Sequence, residues 1–281
     1  MNAAWQSVLE PGRSPAGPPA LPETKPGSDV DESALETLRF LAALSWLSYF
    51  PYASENGGRG ERLAALDFEE RLFLSCSGVD CSLVVPIQER SSAYVIFRGT
   101  VGFRQWVYNV DAMPRTWSGD GRVHAGFARA LSRVWPHLKQ RLDALAGDGA
   151  TVFFTGHSLG GALATLAAAL WDGDPAQSQT ATFGAPHAGN AEFAVAYSKV
   201  PIIRVTRGGD PVPDLPAPVS AVSRLNYTHV GTPLVLPGQS EPRPGNRLTI
   251  RQWRDALERR DPPAFLADHA PSGYVQALAE A

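Results

Sequence analysis

Short apolar runs alternate along this chain with longer segments whose apolar residues recur at helical spacing. Leu35, Leu38, Leu41 and Leu44 fall on one helical face in a stretch that stays largely apolar to Phe50, which predicts a core helix. Ser33-x-x-Glu36 at its head has the form of a capping box. Cys81–Glu89 and Tyr94–Thr100 read as two strands joined by a polar turn. A helical pattern opens at His124-Ala125-Gly126-Phe127 and continues to about Leu145, with Pro136 expected to kink or split it. Thr151-Val152-Phe153-Phe154-Thr155 is short, β-branched and aromatic, as a buried strand is. Leu159–Leu170 is a strong helix former, and Thr180–Gly184 and Pro201–Thr206 read as further strands. Strands alternating with helices predict a mostly parallel sheet covered on both faces.

Composition narrows this picture without redirecting it. With 281 residues, 44% of them hydrophobic, residues 31–281 are expected to form one α/β domain. Residues 1–30, rich in Pro and Gly, read as a disordered tail. A net charge of −3 gives no reason to expect a nucleic-acid partner. The start of the chain lacks a basic region and an apolar core, and no run reaches membrane-spanning length, so the expected location is cytoplasmic. Cys76 and Cys81 flank a turn where a disulfide is sterically allowed; in that compartment they read as free thiols. Their spacing lacks the second pair a zinc site needs, and no metal or cofactor is expected.

The chemistry centres on Gly156-His157-Ser158-Leu159-Gly160, set between the strand at 151–155 and the helix at 159–170. Strand, Gly-x-Ser-x-Gly, then helix is the context of a nucleophile elbow, as in an α/β-hydrolase. Ser158 must stand on a tight, strained turn, so the positions two before and two after it must lack bulk. The helix start offers the Leu159 N–H to a developing oxyanion.

A nucleophilic serine needs an imidazole base, and the imidazole needs a carboxylate to orient it. In such a fold they follow the serine in the order acid, then histidine. Asp210 lies between two glycines and stiffening prolines, with Asp214 as its near alternative. His229 lies in an extended run, whereas His269 lies in a loop before the final helix, where a side chain can reach the top of a sheet. Asp210 and His269 are therefore the expected partners of Ser158. Thr100, at a strand end, is either a second oxyanion donor or an ordinary strand terminus. Phe103, Trp106, Val107 and Val110 share a helical face that fits a lid or plain core packing.

Across roughly residues 33–278 the chain resembles the class 3 lipases, the fungal-lipase-like α/β-hydrolases. The resemblance rests on Phe97-Arg-Gly-Thr100, Val123-His-Ala-Gly-Phe127, the elbow through Ala164, and Thr182-Phe-Gly-Ala-Pro186 with Gly189-Asn190. It continues in Asp210-Pro-Val-Pro213, Tyr227-Thr-His-Val-Gly231, and His269 followed by Tyr274. It implies a Ser158/Asp210/His269 triad, an oxyanion hole of Thr100 and Leu159, and a short helical lid over residues 101–112. It also implies that His229 is not the base. The activity implied is hydrolysis of lipid carboxylic esters, with lipid-interface contact and no cofactor. A phospholipase A1 or an esterase for soluble esters would use the same triad, and a non-catalytic binding module is the remaining alternative.

Overall fold

A computed structural model describes residues 31–55, 57–76, 78–88, 91–99, 114–117, 121–215, 226–238 and 267–281. The N-terminal tail expected at 1–30, Thr100 and the lid stretch lie outside the described residues. The leucine-spaced segment is helix α1 (Glu32–Leu47), with all four leucines buried. Its N-cap is Asp31, whose carboxylate accepts the Ala34 N–H at 2.8 Å. The capping box expected at Ser33 is thus not the cap. A carboxylate facing the positive end of the helix takes that position, and Ser33 falls inside the first turn.

A short helix α2 (Arg59–Ala64) leads into strands β1 (Phe68–Cys76), β2 (Val79–Pro86) and β3 (Ser92–Phe97). In the β1–β2 hairpin Cys76 pairs with Val79 and Cys81 with Leu74, so the two cysteines do not face each other, and both are free. Next come β4 (Pro114–Thr116), β5 (Arg122–His124) and α3 (Ala125–Gly147). Helix α3 runs unbroken through Pro136, against expectation. Pro136 and Ser132, whose carbonyl loses its helical partner, both face solvent, where water takes that carbonyl. Leu131, Val134, Leu138 and Leu142 anchor the buried side across the proline.

The rest alternates strand and helix: β6 (Thr151–His157), α4 (Leu159–Leu170), β7 (Ser178–Phe183), β8 (Gly189–Asn190), α5 (Ala191–Ala196), β9 (Ile202–Arg207), β10 (Tyr227–Thr228), β11 (Thr232–Leu236) and α6 (Pro271–Glu280). The main sheet has seven strands in the order β1-β2-β3-β6-β7-β9-β11. Only the β1–β2 and β2–β3 pairs are antiparallel; from β3 onward every neighbour is parallel. A second sheet has the order β10-β8-β5-β4.

Strand alternation divides the core. Val95, Phe97, Val152 and Phe154 point to one face, where α3 and α4 cover them. Tyr94, Ile96, Phe153 and Val205 point to the other, under α1 and α6. With both faces covered, the accessible rim of the sheet is the carboxyl ends of its parallel strands. The elbow after β6, Gly99 after β3 and the acid loop after β9 all emerge there.

Candidate active site

Ser158 joins β6 to α4 with φ 58° and ψ −128°, a backbone conformation that a residue with a side chain rarely adopts. It is held from both sides. Its N–H donates to Phe183 O at 2.9 Å, and its carbonyl accepts the Gly161 N–H at 2.9 Å. The flanking glycines are required by proximity. A Cβ on Gly156 would lie 2.7 Å from Phe97 O, and one on Gly160 would run into the same carbonyl. The ends of β3 and β6 and the head of α4 therefore meet backbone to backbone. The Leu159 N–H heads α4, where a helix leaves its donors without partners from the helix itself.

The three side chains expected from the sequence come together. His269 Nε2 is 2.9 Å from Ser158 Oγ, and its Nδ1 is 2.9 Å from Asp210 Oδ2. Asp210 is fixed by more than the imidazole. Its Oδ1 accepts the Val212 N–H at 2.9 Å, and its Oδ2 also accepts the Tyr274 hydroxyl. Burial, then the neighbouring Asp210 charge, pushes the Tyr274 hydroxyl well above its ordinary range, which keeps it a proton donor. Gly184, with φ 58°, passes close beneath: a Cβ there would sit 2.8 Å from Asp210 Oδ2 and 3.1 Å from His269 Nδ1.

With Nδ1 committed to a carboxylate, the neutral imidazole presents a bare Nε2 to the serine hydroxyl. This arrangement can take the Ser158 proton during attack and return it to a leaving alcohol. Asp214, the alternative acid, is solvent-exposed on the turn beyond. His229 sits apart from the serine and, with its ring stacked on His187 at 4.0 Å, donates Nε2–H to Pro213 O at 2.9 Å. His187 Nδ1 donates to Leu215 O at 2.8 Å. Both histidines thus tether the loop that carries Asp210.

Sequence reasoning left three nearby residues without roles. His157 Nε2 lies 2.8 Å from the carbonyl of His269, so that nitrogen carries the proton. Its Nδ1 must then accept from the Tyr49 hydroxyl, 2.8 Å away. Burial, then the His269 charge, holds His157 well below the ordinary imidazole range, so the ring stays neutral. Tyr49 belongs to the turn after α1, beside Gly99, and so connects the base's backbone to the end of β3. Tyr274 and His157 both stood in recognised motifs but were given no role there. Tyr49 is distant in sequence, and His157 was absorbed into the elbow pattern. Thr100, Phe103, Trp106, Val107 and Val110 lie outside the described residues. Among the described residues no group of three or more His, Cys, Asp or Glu side chains could hold a metal.

Known proteins resemble this chain in sequence and in fold. Residues 94–220 match the family described as Lipase (class 3). Over that stretch the chain is similar to the class 3 lipases. Among its relatives is the secreted mono- and diacylglycerol lipase 1 of Fusarium solani, 39% identical over 134 residues, which are 45% of this chain and 40% of that lipase. Phospholipase A1-II 1 of Oryza sativa subsp. indica is 27% identical over 199 residues, 59% of this chain and 48% of that enzyme. This chain therefore spans less than half the length of either relative. A solved structure described as a triacylglycerol lipase with a serine-protease triad superposes with a TM-score of 0.62. It is 25% identical and covers 74% of this chain and 82% of that one.

The lipase relatives correct the expected cytoplasmic location. The Fusarium solani lipase is a secreted enzyme, which points away from the cytoplasm. The expectation rested on reading the start of the sequence for a leader, and because a leader is cleaved from a mature secreted protein, that reading does not set the compartment. No described helix is long and apolar enough to cross a membrane.

Proposed function

We propose that this chain hydrolyses carboxylic esters of lipids through an acyl-enzyme on Ser158. The observation that carries the reading is the relay Ser158–His269–Asp210, with 2.9 Å at each step, beneath a serine held at positive φ. Ser158 Oγ attacks the ester carbonyl carbon while its proton passes to His269 Nε2. The oxyanion so formed is taken by the Leu159 N–H, with the second donor assigned to Thr100 on its sequence position. Each such donor contributes about a hundredfold or more to the rate. The carbon–oxygen bond to the alcohol breaks, and His269 delivers the proton to the departing alkoxide. Water, deprotonated by His269, then attacks the acyl carbon; the bond to Ser158 Oγ breaks, His269 returns the proton to that oxygen, and the carboxylic acid leaves. Asp210 orients the imidazole and balances its transient positive charge throughout.

The lipase relatives favour acylglycerols as substrates, and peripheral contact with a lipid interface follows from such a substrate. The Oryza sativa phospholipase A1 favours a second reading, in which the same serine cleaves a phospholipid ester. Hydrolysis of a diacylglycerol, a triacylglycerol, a phosphatidylcholine and a short soluble ester should be compared side by side, with Ser158→Ala as control. Turnover that disappears in the variant supports the serine mechanism, and the preferred ester identifies the class. Near-parental turnover by Ser158→Ala, or a wild-type serine inert to a fluorophosphonate, overturns the reading.

A further inference from the structure

Asp210 and His269 come from segments far apart in sequence, and a buried ion pair lies where those segments meet. Arg207 ends β9, just ahead of Asp210, and its carbonyl accepts the Asp210 N–H at 3.1 Å. Its guanidinium crosses to the turn bearing the base: Nη1 donates to Asp268 O at 3.3 Å, and Nη2 lies 3.4 Å from Asp268 Oδ1. The Asp268 side chain is fully buried and that of Arg207 nearly so.

The pair is poorly arranged as a source of stability. Both contacts are long, and among the described residues the buried Arg207 Nε has no partner. Space has nevertheless been made for it. A Cβ on Gly273, in the first turn of α6, would run into Nη1. An arrangement that opens space at Gly273 and, among the described residues, leaves a buried donor unpaired needs a reason other than packing.

We propose that Arg207 and Asp268 are positioning residues for the ester hydrolysis described above: they fasten the His269 turn to the Asp210 strand and hold opposite charges together at the residue before the base. The clasp works at two levels. The Asp268 carbonyl contact fixes where the backbone leading into His269 lies relative to the acid. The carboxylate–guanidinium contact sets opposite charges together at the residue preceding a ring that becomes cationic in every turnover. Among the described residues, Asp210 from the β9 loop, Tyr274 from α6 and His157 from β6 face that ring. Replacing Arg207 or Asp268 removes none of these partners.

The inference rests on the serine-hydrolase reading, so wild-type turnover must first be shown to require Ser158. Arg207→Met, Asp268→Asn and the double variant are then compared by kcat per active site, titrated with a fluorophosphonate, and by the acid limb of the pH–rate profile. Arg207→Met removes a buried cation from the turn next to the base, which favours the imidazolium, so the acid limb moves to higher pH, by about one unit. Asp268→Asn removes an anion and moves the limb the opposite way. The double variant restores the limb, but with the clasp gone its kcat per site falls about ten- to a hundredfold while KM holds. If the two single variants move the limb in the same direction or not at all, and kcat per titrated site stays parental, the pair is purely structural. Should Arg207→Met fail to fold, the double variant and Asp268→Asn decide the matter by the same two readouts.

Discussion

The Tyr274 hydroxyl donates a 2.5 Å hydrogen bond to Asp210 Oδ2, the same oxygen that faces His269 Nδ1 at 2.9 Å. Two donors converging on one buried carboxylate oxygen fix its position relative to the imidazole more tightly than either would alone. A buried carboxylate also needs such donors to remain ionised away from water.

Tyr274→Phe removes one of these donors and nothing else of consequence for packing. The carboxylate keeps the Val212 N–H and the imidazole but loses one of its three restraints. We expect kcat to fall about tenfold with KM nearly unchanged, since the lost interaction orients the base and does not touch substrate. Stability should fall by about 1–3 kcal/mol, the cost of leaving a buried acceptor short of a donor. Parallel kinetics and urea unfolding check both, and a variant with parental kcat would show that His269 alone orients Asp210.

Gly160 tests the elbow by its backbone. A Cβ there meets the Phe97 carbonyl, a backbone atom at the buried end of β3 that cannot swing aside. Gly160→Ala should cost about 3 kcal/mol, the upper part of the overpacking range, because relief requires α4 to move off the sheet. The same shift would displace the Leu159 N–H, so residual folded protein should also react slowly with a fluorophosphonate. Parental unfolding midpoints in guanidinium would mean the convergence of β3, β6 and α4 is loose.

These residues also show what the sequence made legible. The elbow could be read because strand, serine turn and helix are contiguous, and the glycines flanking Ser158 report a close approach that any such turn must make. Asp210 and His269 could be placed because a base and its acid have to come from loops at one rim of the sheet. Helix α3 ran through Pro136 because solvent accepts an unpaired carbonyl, a fact of exposure that local propensity does not contain. The cap of α1 fell on Asp31 and not on Ser33 because two acceptable caps stood close together and local pattern did not rank them. Tyr49, His157 and the Arg207–Asp268 pair act across long separations, and a single sequence gives no sign of which distant residues meet.

The stacked histidines make an acid-sensitivity prediction with a definite sign. His187 and His229 lie ring on ring at 4.0 Å, each donating to a carbonyl of the loop beyond Asp210. Burial lowers both below the ordinary imidazole value of 6.5, the more so for His229. The charge of Arg204, itself pushed down to about 10 by burial, acts in the same direction on both, and the His187 charge lowers His229 further. His157 is held neutral by burial beside the base. In the unfolded chain all three take up protons near pH 6.5, whereas in the folded chain they resist. Between 6.5 and their depressed folded values the unfolded state therefore binds more protons, and stability falls as pH falls. Each contributes a slope of up to about 1.4 kcal/mol per pH unit in that window. The urea midpoint should thus be steady above pH 7 and drop between pH 6.5 and 5. Replacing the pair by His187→Phe and His229→Gln, which keeps a ring face and an amide donor to Pro213 O, should flatten most of the drop while His157 retains its share. If the double variant loses stability over pH 6.5 to 5 as steeply as the parent, the stacked pair is not the source.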